Sequence, residues 1–326
     1  VEDLFSRCDL ILKVKEPRFS DRTGKHEIDM MKEGQHLITF LHPASPANHQ
    51  MVQKLAARKV TGISLDSIPR ISRAQNMDAL TAMSTVAGYK AAIMAANMLP
   101  KFMPMIATGV GMIPPAHVLV VGAGVAGLQA LATAKRLGAV VHAADIRPDA
   151  AEQAKSIGAK VVDLGIPPEE AVGKGGYARK LSDEWLKKER QALQPAVAQA
   201  DVMILTALIP GKVAPILITD EMVKTMKKGS VIIDVSIDQG GNCEISESGK
   251  QIVKYGVTID ATPNLPSMMA QSSTWMFANT VYNLLCHVVK DGKILIDSSD
   301  EIIASSLVSR EGKIVHAGTL EAMQAQ

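Results

Sequence analysis

The feature that most constrains this chain is residues 118–147, where an apolar strand (VLVVGAGVAG) meets a glycine-rich turn, an alanine-rich helix and a second strand ending in Asp145. A strand, tight turn, helix and strand in that order form a βαβ unit, which commits the chain to a parallel sheet covered by helices. Gly122 allows the tight turn, Gly124 lets the backbone approach a pyrophosphate, and Gly127 lets the helix pack close on the strand. The helix N-terminus adds unpaired N–H donors and a positive dipole end. An acidic residue closes the next strand roughly 20 residues on, which completes the context of a dinucleotide site. A carboxylate there accepts both ribose hydroxyls of NAD and repels the 2′-phosphate of NADP, so NAD(H) is expected. Arg147, two residues on, is a cation within reach of such a phosphate, but Asp145 holds the reading position.

The rest of the chain narrows the function class. Its 326 residues suggest two domains, on a prior of about one per 150 residues. The net charge of +2 and 3% aromatic content leave no basic stripe with stacking rings, so nucleic acid is not an expected partner. Cys8, Cys243 and Cys286 form no metal-ligand pattern and suit a reducing compartment. Apolar runs are interrupted well before the ~20 residues of a membrane span, so a soluble chain is expected, with no direct membrane insertion. The sequence opens at Val1 and soon enters LILKVKEP, which reads as a start partway through a domain.

Strands are predicted at residues 10–14, 36–41 and 60–65, with a helix at 48–58. Further strands are predicted at 160–163, 202–205, 231–235 and 257–259, giving a six-stranded sheet with the pair around the glycine turn. Residues 78–99 and 272–289 read as two long, largely apolar helices that connect domains. The segment PPEEAVGKGGY, at 167–177, reads as an exposed mobile loop. The expected architecture is α/β: two Rossmann-like, doubly wound parallel-sheet domains joined by two long helices, with a cleft between them. The first comprises 1–80 with 270–326, the second 81–269.

The segment RISRAQNMD gathers Arg70, Arg73, Gln75 and Asp78 after the third strand, where α/β ligands bind. A capping and salt-bridging turn accounts for the same spacing. RISRAQNMD, GAGVAGLQALATAKRLGA, TALIPGK and GGNCE together resemble the NAD(H)-binding component, domain I, of proton-translocating nicotinamide nucleotide transhydrogenase, over the whole chain. The resemblance implies that Arg70, Gln75 and Asp78 position the nicotinamide. It implies that Gly122, Gly124, Val125, Ala126, Gly127, Asp145, Ile146, Arg147, Ala207 and Leu208 bind nucleotide, and that Tyr177 belongs to a loop closing over it. Thr81 stands where the family usually has Ser and keeps the hydroxyl. It further implies NADP(H) on a partner component, a membrane-spanning partner, a homodimer, and a cytoplasmic or matrix-side place peripheral to a membrane complex. By the same resemblance, the family's first strand–helix unit is expected to lie ahead of Val1.

KVKEP, FLHPA and IDQGG resemble alanine dehydrogenase as well. That resemblance implies Lys15 as the holder of a substrate carboxylate and His42 and Asp238 as proton-transfer groups. A loop histidine and a turn aspartate are the alternatives at the last two positions. The resulting expectation is a hydride-donating transhydrogenase component, with an NAD-dependent alanine dehydrogenase as the alternative and an NAD-binding module without chemistry behind both.

Overall fold

The computed structural model describes residues 2–173, 178–209 and 213–324. The chain divides into two compact units, Val1–Ala82 with Thr274–Gln326, and Met83–Ser273. Both boundaries fall inside the long helices Ala79–Met98 and Ala270–Val288. Asp78 starts the first of these, its carboxylate accepting from the Thr81 N–H at 2.8 Å, and Pro100 lies just past its end.

In the first unit, strands Leu10–Leu12, His36–Thr39 and Thr61–Ser64 run parallel. Leu307–Arg310 then joins antiparallel to Thr61–Ser64, followed by Lys313–Ile314, so two returning strands extend the parallel set. Ile11, Leu37, Leu55, Val60 and Val308 share one buried core. Because the three leading strands are parallel, the segments that follow them, bearing Lys15, His42 and residues 66–78, leave from the same edge of the sheet.

The second unit holds a seven-stranded sheet. Numbered along the chain, its six parallel strands lie in the order 3-2-1-4-5-6, and the predicted set gains one antiparallel edge strand, Gln251–Lys254. Its burial alternates but its sequence does not, because the exposed Val253 stands beside the half-buried Ile252, so the alternation rule misses it. The first strand, His117–Val121, shows why a continuous apolar run is needed. Val118 and Val120 join a core with the helices Ala79–Met98 and Val125–Arg136, while Leu119 and Val121 join another with Asp183–Gln199. A strand buried on both faces has no polar side. Within 167–173 the chain forms a short helix, Pro168–Ala171, and Val172 bridges Ala178. Among the described residues, no helix is long and apolar enough to cross a membrane.

Candidate functional site

The order 3-2-1-4 places a topological switch between His117–Val121 and Val202–Leu205, where neighbouring connections leave for opposite faces and a crevice opens. The glycine turn sits there. Gly122 adopts φ +93°, and a Cβ on it would lie 2.7 Å from Ala207 N. A Cβ on Gly127 would come within 1.9 Å of the Gly122 carbonyl oxygen. The protein itself demands both glycines. Gly124 differs: its φ of −74° suits any residue, and the nearest atom to an added Cβ is Arg147 Nη2 at 3.9 Å. Its missing side chain therefore leaves open space at the N-terminus of Val125–Arg136, which has no side-chain cap. Val125 and Ala126 form the first turn, where N–H groups lack helical partners.

Asp145, at the end of the second strand, accepts from the turn through the Ala123 N–H at 2.7 Å. Arg147 holds the same carboxylate through its backbone N–H at 2.8 Å, Nε at 3.0 Å and Nη2 at 2.8 Å. Arg147 therefore covers this carboxylate, whose side chain is only 5% exposed. Ile146 packs into the core beneath. On the other side of the switch, the Thr206 hydroxyl donates to the Gly122 carbonyl at 2.6 Å, Ala207 lies against Gly122, and Leu208 is exposed. Tyr177 lies outside the described residues.

In the first unit, residues Ser72–Met77 form a 3₁₀ turn that buries Ala74 and Met77. Arg73 is tied to Asp300 at 2.7 Å, and the Asn76 carbonyl accepts from Asn283 at 2.9 Å. Asp78 accepts from both the backbone N–H and the hydroxyl of Thr81, so those two residues cap a helix. Gln75 is exposed on this anchored turn, and Arg70 is exposed just ahead of it.

The structure also reveals a partner for His42 that the sequence motifs did not signal. His42 has φ +45°, and its Nδ1 lies 2.7 Å from Asp66 Oδ1. The contact is an ion pair when His42 is protonated. The other oxygen, Oδ2, accepts from the N–H groups of Leu41 and His42 and from Ser64 Oγ at 2.9, 2.7 and 2.6 Å. Burial alone would raise the Asp66 pKa, but His42 and these donors hold it below the usual carboxylate range. Pairing with Asp66 raises the His42 pKa against the opposing effect of burial, and the nearby Lys15 ammonium lowers it. Lys15 is exposed. Asp238 lies in the other unit, where it accepts from the Asn264 N–H at 3.0 Å.

Two family models match, described as the N-terminal domain of alanine dehydrogenase/PNT over residues 1–87 and its C-terminal domain over residues 91–317. Among similar proteins, an NAD(P) transhydrogenase subunit alpha chain of Rhodospirillum rubrum is 45% identical over 314 residues, covering 95% of this chain and 81% of its own length. Alanine dehydrogenase of Methanococcus maripaludis is 30% identical over 330 residues, covering 98% and 80%. The crystal structure of transhydrogenase from Sinorhizobium meliloti superposes with a TM-score of 0.80 at 36% identity, covering 97% of this chain and 83% of that one. On two matched domains and these relatives, the chain belongs to the alanine dehydrogenase/PNT family.

Proposed function

We propose that this chain is the NAD(H)-binding component of a nicotinamide nucleotide transhydrogenase, counterpart of the alpha subunit, passing hydride directly to NADP⁺ held on a partner component. The observation that carries this reading is the open helix N-terminus above Gly124, flanked by Asp145 anchored on the Ala123 N–H. The residues present fit a dinucleotide: the Gly124 space and the first N–H groups of Val125–Arg136 take the pyrophosphate, and Asp145 takes the adenosine ribose. For that, Arg147 must swing off at least one carboxylate oxygen, exchanging one set of charge-assisted bonds for another. Bound NADH supplies the hydride. The chain orients the nicotinamide through Arg70, Gln75, Asp78 and Thr81, and Tyr177 helps to exclude water. No general base is required, because no proton moves at the reacting carbon.

The component assembles with an NADP-binding and a membrane-spanning component on the cytoplasmic or matrix side. A homodimer is supported by an exposed hairpin, Ile106–Thr108 with Gly111–Ile113, which carries Val110 at 97% and Met112 at 68% exposure.

Titration with NADH and NADPH by nucleotide fluorescence tests the site, with much tighter NADH binding expected. Gln75→Ala should lower hydride transfer to a nicotinamide acceptor on an added NADP-binding component far more than NADH affinity, since a misplacement of about 1 Å costs on the order of 10²-fold in rate. Equal affinity for the two nucleotides, or an unchanged transfer rate, would count against the reading. The His42–Asp66 ion pair favours a second reading, an alanine dehydrogenase in which His42 moves a proton. Pyruvate- and ammonia-dependent NADH oxidation, abolished by His42→Ala, would establish that reading instead.

A further inference from the structure

The glycine turn faces a short stretch of chain, residues 206–208, in which Thr206 is still held by the Val121 carbonyl while Ala207 and Leu208 lie past the last paired residues. Beyond Leu205 the register with Asp234 ends. A buried side chain takes over. Asn242, fully buried, accepts from the Ala207 N–H through Oδ1 at 2.9 Å and donates from Nδ2 to the Ala207 carbonyl at 2.9 Å. Its Nδ2 also donates to the Pro215 carbonyl at 2.8 Å, and its Oδ1 accepts from the buried Ser236 hydroxyl at 2.6 Å. All four hydrogen-bonding positions of the amide are used. Asn242 is fixed in turn by its own N–H and that of Cys243, both donating to Asp234 Oδ2 at 3.0 Å.

We propose that Asn242 is a positioning residue for the nicotinamide half of the nucleotide site, its side-chain amide standing in for a neighbouring strand to hold Ala207 and so aim Leu208. This rests on the nucleotide reading above. A residue offers its N–H and C=O to one partner only where the chain is extended, and successive residues then face opposite sides. Thr206 obeys this, with its N–H on the Val121 carbonyl at 2.8 Å and its hydroxyl on the Gly122 carbonyl. Leu208 has the same parity as Thr206, so its backbone polar groups face the glycine-turn side. The strand ending in Asp145 lies on one flank of His117–Val121 and takes the adenosine; Val202–Leu205 lies on the other and takes the nicotinamide half. Loosening Ala207 should therefore affect one half of the ligand only.

The test uses the full chain and two probes, NADH and 5′-AMP, titrated against wild type, Asn242→Ala and Ser236→Ala. Asn242→Ala should weaken NADH by at least about tenfold while leaving 5′-AMP affinity within about twofold. Ser236→Ala removes one hydroxyl, leaves the amide in place, and should weaken NADH by about threefold with 5′-AMP unaffected. It decides the matter if Asn242→Ala does not fold. A residue that merely stabilised the fold would lose both probes in parallel or neither, and either result in the folded variants overturns the proposal. Wild type binding neither probe would overturn the nucleotide reading itself, and this proposal with it.

Discussion

Glu189→Gln should stabilise the second unit at alkaline pH and leave it unchanged in acid. Glu189 sits on the helix Asp183–Gln199, 5% exposed, beside the core that also contains Leu193, Val197 and Ala144. Burial pushes its carboxyl up from 4.5 to about 7, the Asp145 carboxylate pushes the same way, and Arg190 opposes them. The sign follows from linkage. A raised acid pKa means that the folded state keeps a proton the unfolded chain gives up, so stability present below pH 4.5 is lost as pH rises to about 7. A shift of about 2.5 units at about 1.4 kcal/mol each gives an upper bound of roughly 3–4 kcal/mol above that pH. Glutamine carries no proton to lose and should lack the slope. Urea unfolding between about pH 5 and pH 8.5, read from Trp185 on the same helix in a Trp275→Phe background, measures it. The variant's advantage should grow with pH and level off above about 7. Parallel curves for the two proteins would show that Glu189 is ionised in the folded state at no cost. Asp145→Asn should shrink the effect, because it removes the second cause of the shift.

The two inner glycines should separate folding from binding. Gly127→Ala forces a methyl into the Gly122 carbonyl and should cost about 3 kcal/mol in denaturant melts, whereas Gly124→Ala should melt like wild type yet bind NADH at least about tenfold more weakly. Asp66→Asn should lower the His42 pKa, followed by NMR titration of its ring protons, because the raised value depends on that carboxylate. Stability from this pair is full below about 6.5 and lost as pH rises through the folded value, so an Asp66→Asn protein whose His42 titrates unchanged would remove the pair's electrostatic role. Val110→Glu with Met112→Lys, two exposed hairpin positions, should convert a dimer to a monomer in sedimentation at micromolar concentration; a wild type that sediments as a monomer at that concentration would refute the dimer.

What was legible in the sequence was what the backbone constrains locally. Gly122 and Gly127 announce themselves because a tight turn and a close helix leave room for no side chain, and the buried strands because both faces of a parallel sheet are covered. The long helices were legible as apolar runs ended by Pro100 or by a turn. Arg147 shows the limit: sequence reading set it against Asp145 as a competing cue, and the structure joins them in one ion pair. Asp66, Ser236 and Glu189 gave no signal, and Asn242 showed only as one letter of GGNCE, since the role of a single polar residue is set by partners distant in sequence. Asn242 lies 35 positions from Ala207, and the two meet only because Leu205 pairs with Asp234 where their parallel strands end. Strand order fixes such meetings, and strand order follows from which helix covers which face. The residues that aim a binding loop therefore become readable one step after the fold, while those that form the turn are readable one step before it.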